Sequence, residues 1–298
     1  MKVGVMLPVG DSDGVAGAPP SWADIRTFAR TAESTGLDSV WLADHFLYQA
    51  PDGARYGTHE AWTLLSAVAA VTDRVELGTM VLCATFRDPG LVAKMAAAAD
   101  LVSDGRLVLG VGAGWHDPEY EAFGLPTDHR VGRFAEWLEI VARLVRGETV
   151  TFEGKYHQVR DAALLPPPAR RIPLLVASRQ PRMLDLTAQW ADAWNTAWFG
   201  AVDERVQSRL RDLGSAVSRS GRPDDAIART VGIVVRDPDQ PAGPDAEPNA
   251  LTGSVEDVAR VIKDYEALGV DHLIAVLEPM TPRSVERLAE AGRLATGG

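Results

Sequence analysis

Short, continuously apolar runs alternate with amphipathic segments from one end of the chain to the other. The runs fall at 3–7, 39–42, 75–82, 107–111, 172–177, 191–195, 230–235 and 271–276. A strand with one wet face alternates apolar and polar residues; these runs do not, so each reads as a strand covered on both sides. Between them, apolar positions recur at helical spacing over 22–34, 61–70, 91–102, 132–146, 181–189, 204–218, 255–268 and 283–294. Strict alternation of strand and helix predicts a parallel sheet. Eight of each is the number that closes a (β/α)8 barrel. An open, doubly wound sheet is the competing arrangement.

Punctuation at the boundaries supports this division. Gly36 and Gly269 stand where left-handed helix ends are expected, and Ser254 precedes Val255-Glu256-Asp257 as an N-cap with acids in the first turn. Asp104-Gly105 makes a tight turn into the fourth strand. Two stretches exceed what a plain barrel needs. Residues 148–168 have hairpin-like content and end in Pro166-Pro167-Pro168. Residues 236–251, rich in Pro, Asp and Gly, follow the seventh strand. Loops after strands face the active end of a barrel, so this stretch is either a mobile lid or an insertion without order.

With 298 residues, 46% of them hydrophobic, the chain can bury a large core as one barrel domain spanning 1–298. Its net charge of −11 repels phosphate backbones, and no basic stretch offsets this, so nucleic-acid binding is not expected. A single cysteine, Cys83, makes neither an internal disulfide nor a thiolate metal cluster and fits a reducing compartment. Met1-Lys2 leads straight into a β-like run, so no signal peptide is expected. No apolar stretch approaches the ~18 residues of a membrane span. A soluble, cytoplasmic protein is the expectation. The helix at 91–102 is apolar almost all round, where an outer barrel helix should have a wet face. It is expected to pack, with 61–70 beside it, against a second copy in a homodimer.

Five strings occur in a particular order. They are Trp41-Leu42-Ala43-Asp44-His45-Phe46; Leu77-Gly78-Thr79-Met80-Val81-Leu82 followed by Arg87-Asp88-Pro89; and Gly105-Arg106-Leu107-Val108-Leu109-Gly110-Val111-Gly112-Ala113-Gly114-Trp115. Pro173 to Ser178, Pro181 to Leu184 and Ala191 to Asn195 make the fourth, and Leu251 to Ser254 with Gly269 to Leu273 the last. In this order they resemble the luciferase-like monooxygenase superfamily across nearly the whole chain. The resemblance implies a flavin or deazaflavin at the C-terminal ends of the barrel strands. It also implies a non-proline cis peptide at Met80-Val81, in a bulge backing the ring. It fits coenzyme F420, passing a hydride without oxygen activation, or FMN, in a two-component monooxygenase with a separate reductase. The Arg-for-Lys and Ala-rich bias of a GC-rich genome, with the Gly-Thr-Met-Val-Leu string, favours F420.

At the strand ends, polar groups point into a barrel's ligand pocket. His45 is the candidate acid or base, because imidazole holds either protonation state near neutral pH. Asp44 either orients it or pairs with an arginine. Met80 and Val81 would back the ring, and small residues at Gly112 and Ala113 would let it approach the backbone, with Trp115 beside them. Ala177, Ser178, Arg179 and Gln180 lead into a helix N-terminus suited to the cofactor phosphate. Phe46, Tyr48 and Trp194 are candidates for an apolar substrate pocket. Relatives that oxidise a sugar phosphate carry an acid near the place of Trp115, so its indole favours an apolar or aromatic substrate. Leu7-Pro8-Val9 replaces the H-x-H pair of a metal-dependent barrel hydrolase. Lys2, Lys94, Lys155 and Lys263 sit in the wrong places for a Schiff base. A non-catalytic flavin-binding barrel stays as the third possibility.

Overall fold

A computed structural model describes residues 1–13, 19–50, 52–240 and 246–297. Eight strands form the frame: β1 Lys2–Met6, β2 Ser39–Leu42, β3 Glu76–Thr79, β4 Leu107–Gly112, β5 Leu174–Ala177, β6 Ala193–Phe199, β7 Ala228–Arg236 and β8 His272–Glu278. Each pairs in parallel with the next, β8 pairs with β1, and the ring is therefore closed. The open-sheet alternative is excluded by that closure. Helices α1 Trp22–Ser34, α2 Ala61–Ala69, α3 Pro89–Val102, α4 Arg130–Val145, α5 Pro181–Trp190, α6 Glu204–Ser220, α7 Val255–Ala267 and α8 Pro282–Thr296 surround it. The predicted run 75–82 is broken: β3 stops at Thr79, the Met80-Val81 peptide is cis as the resemblance implies, and Leu82–Cys83 resumes pairing with β4.

The helices begin where the chemistry of their caps dictates. Ser21 and Ser254 form reciprocal capping boxes with Asp24 and Asp257. Glu60, Asp88, Asp203 and Thr281 cap α2, α3, α6 and α8 with side-chain oxygens. The hairpin expected in 148–168 pairs Val150–Glu153 with Gln158–Ala162. A second hairpin, Leu47–Gln49 with Arg55–Gly57, and a six-residue helix, Asp117–Ala122, carry no clear period in the sequence. Of the stretch 236–251, residues 241–245 lie outside the described residues.

Two kinds of apolar surface result. Odd-numbered β8 residues Leu273, Ala275 and Leu277 pack outward under the helices, within a core that runs around the barrel. Met6, Trp41, Leu175, Ala193 and Ile274 come from five different strands and pack on one another and on Met80, at the break after β3. Only the barrel interior brings those strands' side chains together, so they form its inner layer. Below them the start of the barrel holds a polar trio. Ser39 Oγ accepts the Trp41 indole N–H at 2.7 Å and meets His272 Nε2 at 2.8 Å. Gly4 leaves the space for it, since a Cβ there would overlap Ser39 Oγ.

His272 is buried, and burial, with the nearby positive charge of Lys2 second, pushes its imidazole down to about 3. The unfolded chain binds that proton near pH 6.5 while the folded chain refuses it. This contribution to stability is therefore intact above pH 6.5 and is lost as the pH falls from there towards 3. Between pH 6.5 and 5, the wild type is expected to lose about 2 kcal/mol more unfolding free energy than His272→Gln. Urea titrations at the two pH values test this; equal losses in both proteins would show that the buried imidazole does not set the acid limb.

Candidate functional site

Chain leaving β2 turns across the mouth of the barrel, and two buried carboxylates hold it there. Asp44 is 2% exposed. Its Oδ2 accepts the Cys83 backbone N–H at 2.9 Å and Arg87 Nη1 at 2.7 Å, and its Oδ1 accepts Arg87 Nη2 at 2.9 Å. Arg87 also bonds to Glu60, the cap of α2, and its carbonyl takes the Trp137 indole N–H at 2.9 Å. Asp44 thus pairs with an arginine, one of the two roles open to it, and does not orient His45. That role falls to Glu119, on the short helix after β4 and 1% exposed. Its Oε1 lies 3.0 Å from His45 Nδ1 and its Oε2 accepts the Phe46 backbone N–H at 3.0 Å. With Nδ1 facing a carboxylate, the other ring nitrogen, Nε2, carries the exchangeable position. His45 Nε2 has no hydrogen-bond partner among the described residues.

Aromatic rings enclose this imidazole. Tyr48 lies 4.3 Å from His45 between centroids, and Trp115, largely exposed, meets it edge-on at 5.8 Å. Burial, reinforced by the charge of Glu119, pushes the Tyr48 phenol well above its ordinary range, so it remains a donor at all working pH values. The apolar floor is the top of the inner layer: Met6 and Met80, with Ala43 and Val81 against them. Trp198, at the end of β6, lies over Gly232 of β7, where a Cβ would crowd its ring. Phe46 turns aside to stack on Phe86 at 4.1 Å.

Several expected residues stand elsewhere or act differently. Trp194 is fully buried on the outer face of β6, against Leu184 and Leu213, with its indole N–H on the Ser178 carbonyl at 2.9 Å. It cannot line the mouth, because its neighbour Ala193 takes the inward position. The Ser178 hydroxyl is likewise turned into the fold, 2.8 Å from Thr187 Oγ1. Ala177 is half-buried at the end of β5, and Arg179 and Gln180 are exposed. No side chain caps α5, whose N-cap is Gln180. The space at Gly112 is taken by Val81, and that at Gly114 by the Tyr120 hydroxyl and Cys83 sulfur. These glycines therefore make room for the floor itself rather than for a ring. The Ala113 carbonyl accepts the Tyr120 O–H at 3.0 Å. Burial pushes the Cys83 thiol up to about 11, leaving it inert behind the site.

Glu119 escaped the sequence reading, and Arg87 is legible there only as part of the Arg87-Asp88-Pro89 string, not as the partner of Asp44. Glu119 lies 74 residues from His45, and its helix is too short to show a period. A cavity of about 140 Å³ adjoins Arg87, bounded by Thr85, Arg133, Phe134, Trp137 and His157. It lies in the helix layer between α4 and the loop after β3, off the barrel axis. Among the described residues, no helix is long and apolar enough to cross a membrane.

The family model described as luciferase-like monooxygenase matches residues 1–246. An F420-dependent glucose-6-phosphate dehydrogenase of Kineococcus radiotolerans is 34% identical over 230 residues, 76% of this chain and 66% of that protein. The chain thus spans just under two thirds of that relative's length. A protein of the same description from Beutenbergia cavernae is 30% identical over 273 residues, 90% of this chain and 76% of its own. Among solved structures, an F420-dependent secondary alcohol dehydrogenase in complex with an F420-acetone adduct superposes with a TM-score of 0.80 at 19% identity, covering 97% of both chains. At that identity the likeness establishes the fold.

Removing one partner of a buried ion pair leaves an uncompensated charge. Arg87→Met is expected to cost about 3–5 kcal/mol of unfolding free energy, and Arg87→Met with Asp44→Asn substantially less than the single change. Chemical denaturation measures both; a cost below about 1 kcal/mol would place the pair among screened surface contacts.

Proposed function

The chain belongs to the luciferase-like monooxygenase family, and on that premise we propose that it is an oxidoreductase passing a hydride between coenzyme F420 and an apolar organic substrate at the mouth of its barrel. The observation that carries this reading is His45: Nδ1 is held by a buried carboxylate and Nε2 is left without a partner, beside an apolar floor and beneath two aromatic rings. When bound, the deazaflavin supplies two-electron hydride chemistry. Met80 and Val81 would hold its ring, with Ala113 and Trp115 along one edge. The uncapped start of α5, which follows Ala177 and Ser178, would take its phosphate through the backbone N–H groups of Arg179 and Gln180 and the Arg179 guanidinium, the Ser178 N–H being given to the Asn195 carbonyl. These residues fit such a group, since Met80 and Val81 offer an apolar floor and the start of α5 has no side-chain cap.

His45 moves the proton. In oxidation of an alcohol the O–H proton goes to Nε2, and in reduction of a carbonyl Nε2 returns it. Glu119 stabilises the imidazolium that forms and fixes the ring's orientation. Tyr48 and Trp115 exclude water and supply apolar contact. The second reading is an FMN-dependent, two-component monooxygenase supplied by a separate reductase, favoured by the description of the matching family model. A flavin-binding barrel without catalysis is the third. The chain acts as one barrel domain in the cytoplasm. It pairs as a homodimer through α3, where Leu91, Leu101 and Val102 are exposed at 54%, 76% and 53%.

Fluorescence titration with F420 and with FMN decides between the cofactors. Tight F420 binding with weak FMN binding is expected, and the reverse would establish the two-component monooxygenase. His45→Ala is expected to keep cofactor binding and lower turnover by about 10²- to 10⁴-fold. Light scattering at micromolar concentration is expected to give twice the chain mass; a monomer mass would overturn the dimer.

A further inference from the structure

Resting on the mouth of the barrel as the substrate site, we infer that Arg236 and Glu278 form its polar recognition element and select an uncharged hydroxyl or carbonyl oxygen over a phosphate or carboxylate. Arg236 is the last residue of β7 and Glu278 the last of β8, and they stand side by side in register. Ile274 of β8 belongs to the inner layer, so Val276 and Glu278 face inward after it. Gly232 of β7 stands opposite Ile274 and accommodates the Trp198 ring, so Val234 and Arg236 share that face. The strands thus end in a charged pair directed at the mouth, each side chain 21% exposed.

The pairing leaves one donor over. Arg236 Nε and Nη2 both donate to Glu278 Oε2, at 2.9 and 2.7 Å, and Nη2 also donates to the Glu247 carbonyl at 2.6 Å. Glu278 Oε1 accepts the Glu247 backbone N–H at 2.9 Å. Both carboxylate oxygens are engaged, while Arg236 Nη1 has no partner among the described residues. Barrels commonly bind phosphate at the ends of strands 7 and 8. Here the cation at that place is already neutralised, and an incoming anion would meet the Glu278 carboxylate within a few ångströms. A neutral oxygen meets no such repulsion and gains the Nη1 hydrogen bond. Val234 and Val276 stand opposite each other one inward step before the pair, and Trp198 lies over Gly232 on the same strand, which suits a substrate with an apolar body and one oxygen function. The curated relatives are named for glucose 6-phosphate, a charged substrate.

Isothermal titration with inorganic phosphate at fixed ionic strength reads the pair without any cofactor. The wild type and Arg236→Met are expected to bind phosphate equally. Glu278→Gln keeps the shape and the acceptor for Glu247 but removes the charge, and is expected to bind about tenfold more tightly or better. That gain should vanish in Glu278→Gln with Arg236→Met. Phosphate held elsewhere, such as at the start of α5, is common to all four proteins and cancels. Circular dichroism and thermal midpoints verify that the variants fold. Wild-type binding that falls on Arg236→Met, or no gain in Glu278→Gln, would overturn the inference. Absorbance at the F420 band with cyclohexanol and with glucose 6-phosphate extends the test: turnover of the sugar phosphate alone would also overturn it. Failure to bind F420 would end the cofactor reading and leave the phosphate series intact.

Discussion

Trp41 occupies the axis of the barrel only because Gly78, on the neighbouring strand, has no side chain; a Cβ there would overlap the indole. An eight-stranded barrel has room inside for side chains and little else, so each large inward residue requires a small one beside it. The same exchange recurs towards the mouth. Val81 fills the space over Gly112, and Trp198 lies across Gly232. The floor on which the proposed ring would rest and the wall that faces it are therefore set by interior packing. A larger residue at any of these glycines would push the site out of shape from below.

Above that packed interior, the mouth is organised by carboxylates removed from water. Asp44 and Glu119 are both almost fully buried and follow opposite logics. Asp44 is neutralised by a bidentate arginine and a backbone N–H, which locks the end of β2 to the loop after β3. Glu119 faces an imidazole and one backbone N–H, so its charge is available to stabilise a proton on His45. The two carboxylates thus serve different ends, one structural and one chemical. Glu278, half-buried at the end of β8, holds Arg236 and the segment at Glu247 together.

Much of the frame is legible without coordinates. Buried strands and amphipathic helices follow from short-range periodicity, and the caps Ser254, Gly36 and Gly269 mark real boundaries. The Asp44-His45 pair and Trp115 are recognisable because their strings are distinctive, and both reach the mouth. What misled was orientation. In the run 191–195 the neighbours Ala193 and Trp194 are both apolar, so nothing in it distinguishes inward Ala193 from outward Trp194. Ser178 similarly reads as a ligand for phosphate until Thr187, one helix away, is seen to take its hydroxyl.

The order of strands and helices, the number that closes a barrel and the residues at its strand ends are determined by the sequence itself, because they depend on patterns a few residues long. Which of those residues meet was decided by the tertiary structure. Glu119 reaches His45 and Arg236 pairs with Glu278 across 74 and 42 positions, through the closure of the ring and the parity of its strands. Such contacts leave no local pattern. A carboxylate on a short helix looks like any solvated acid until burial removes the water and leaves an imidazole as its partner.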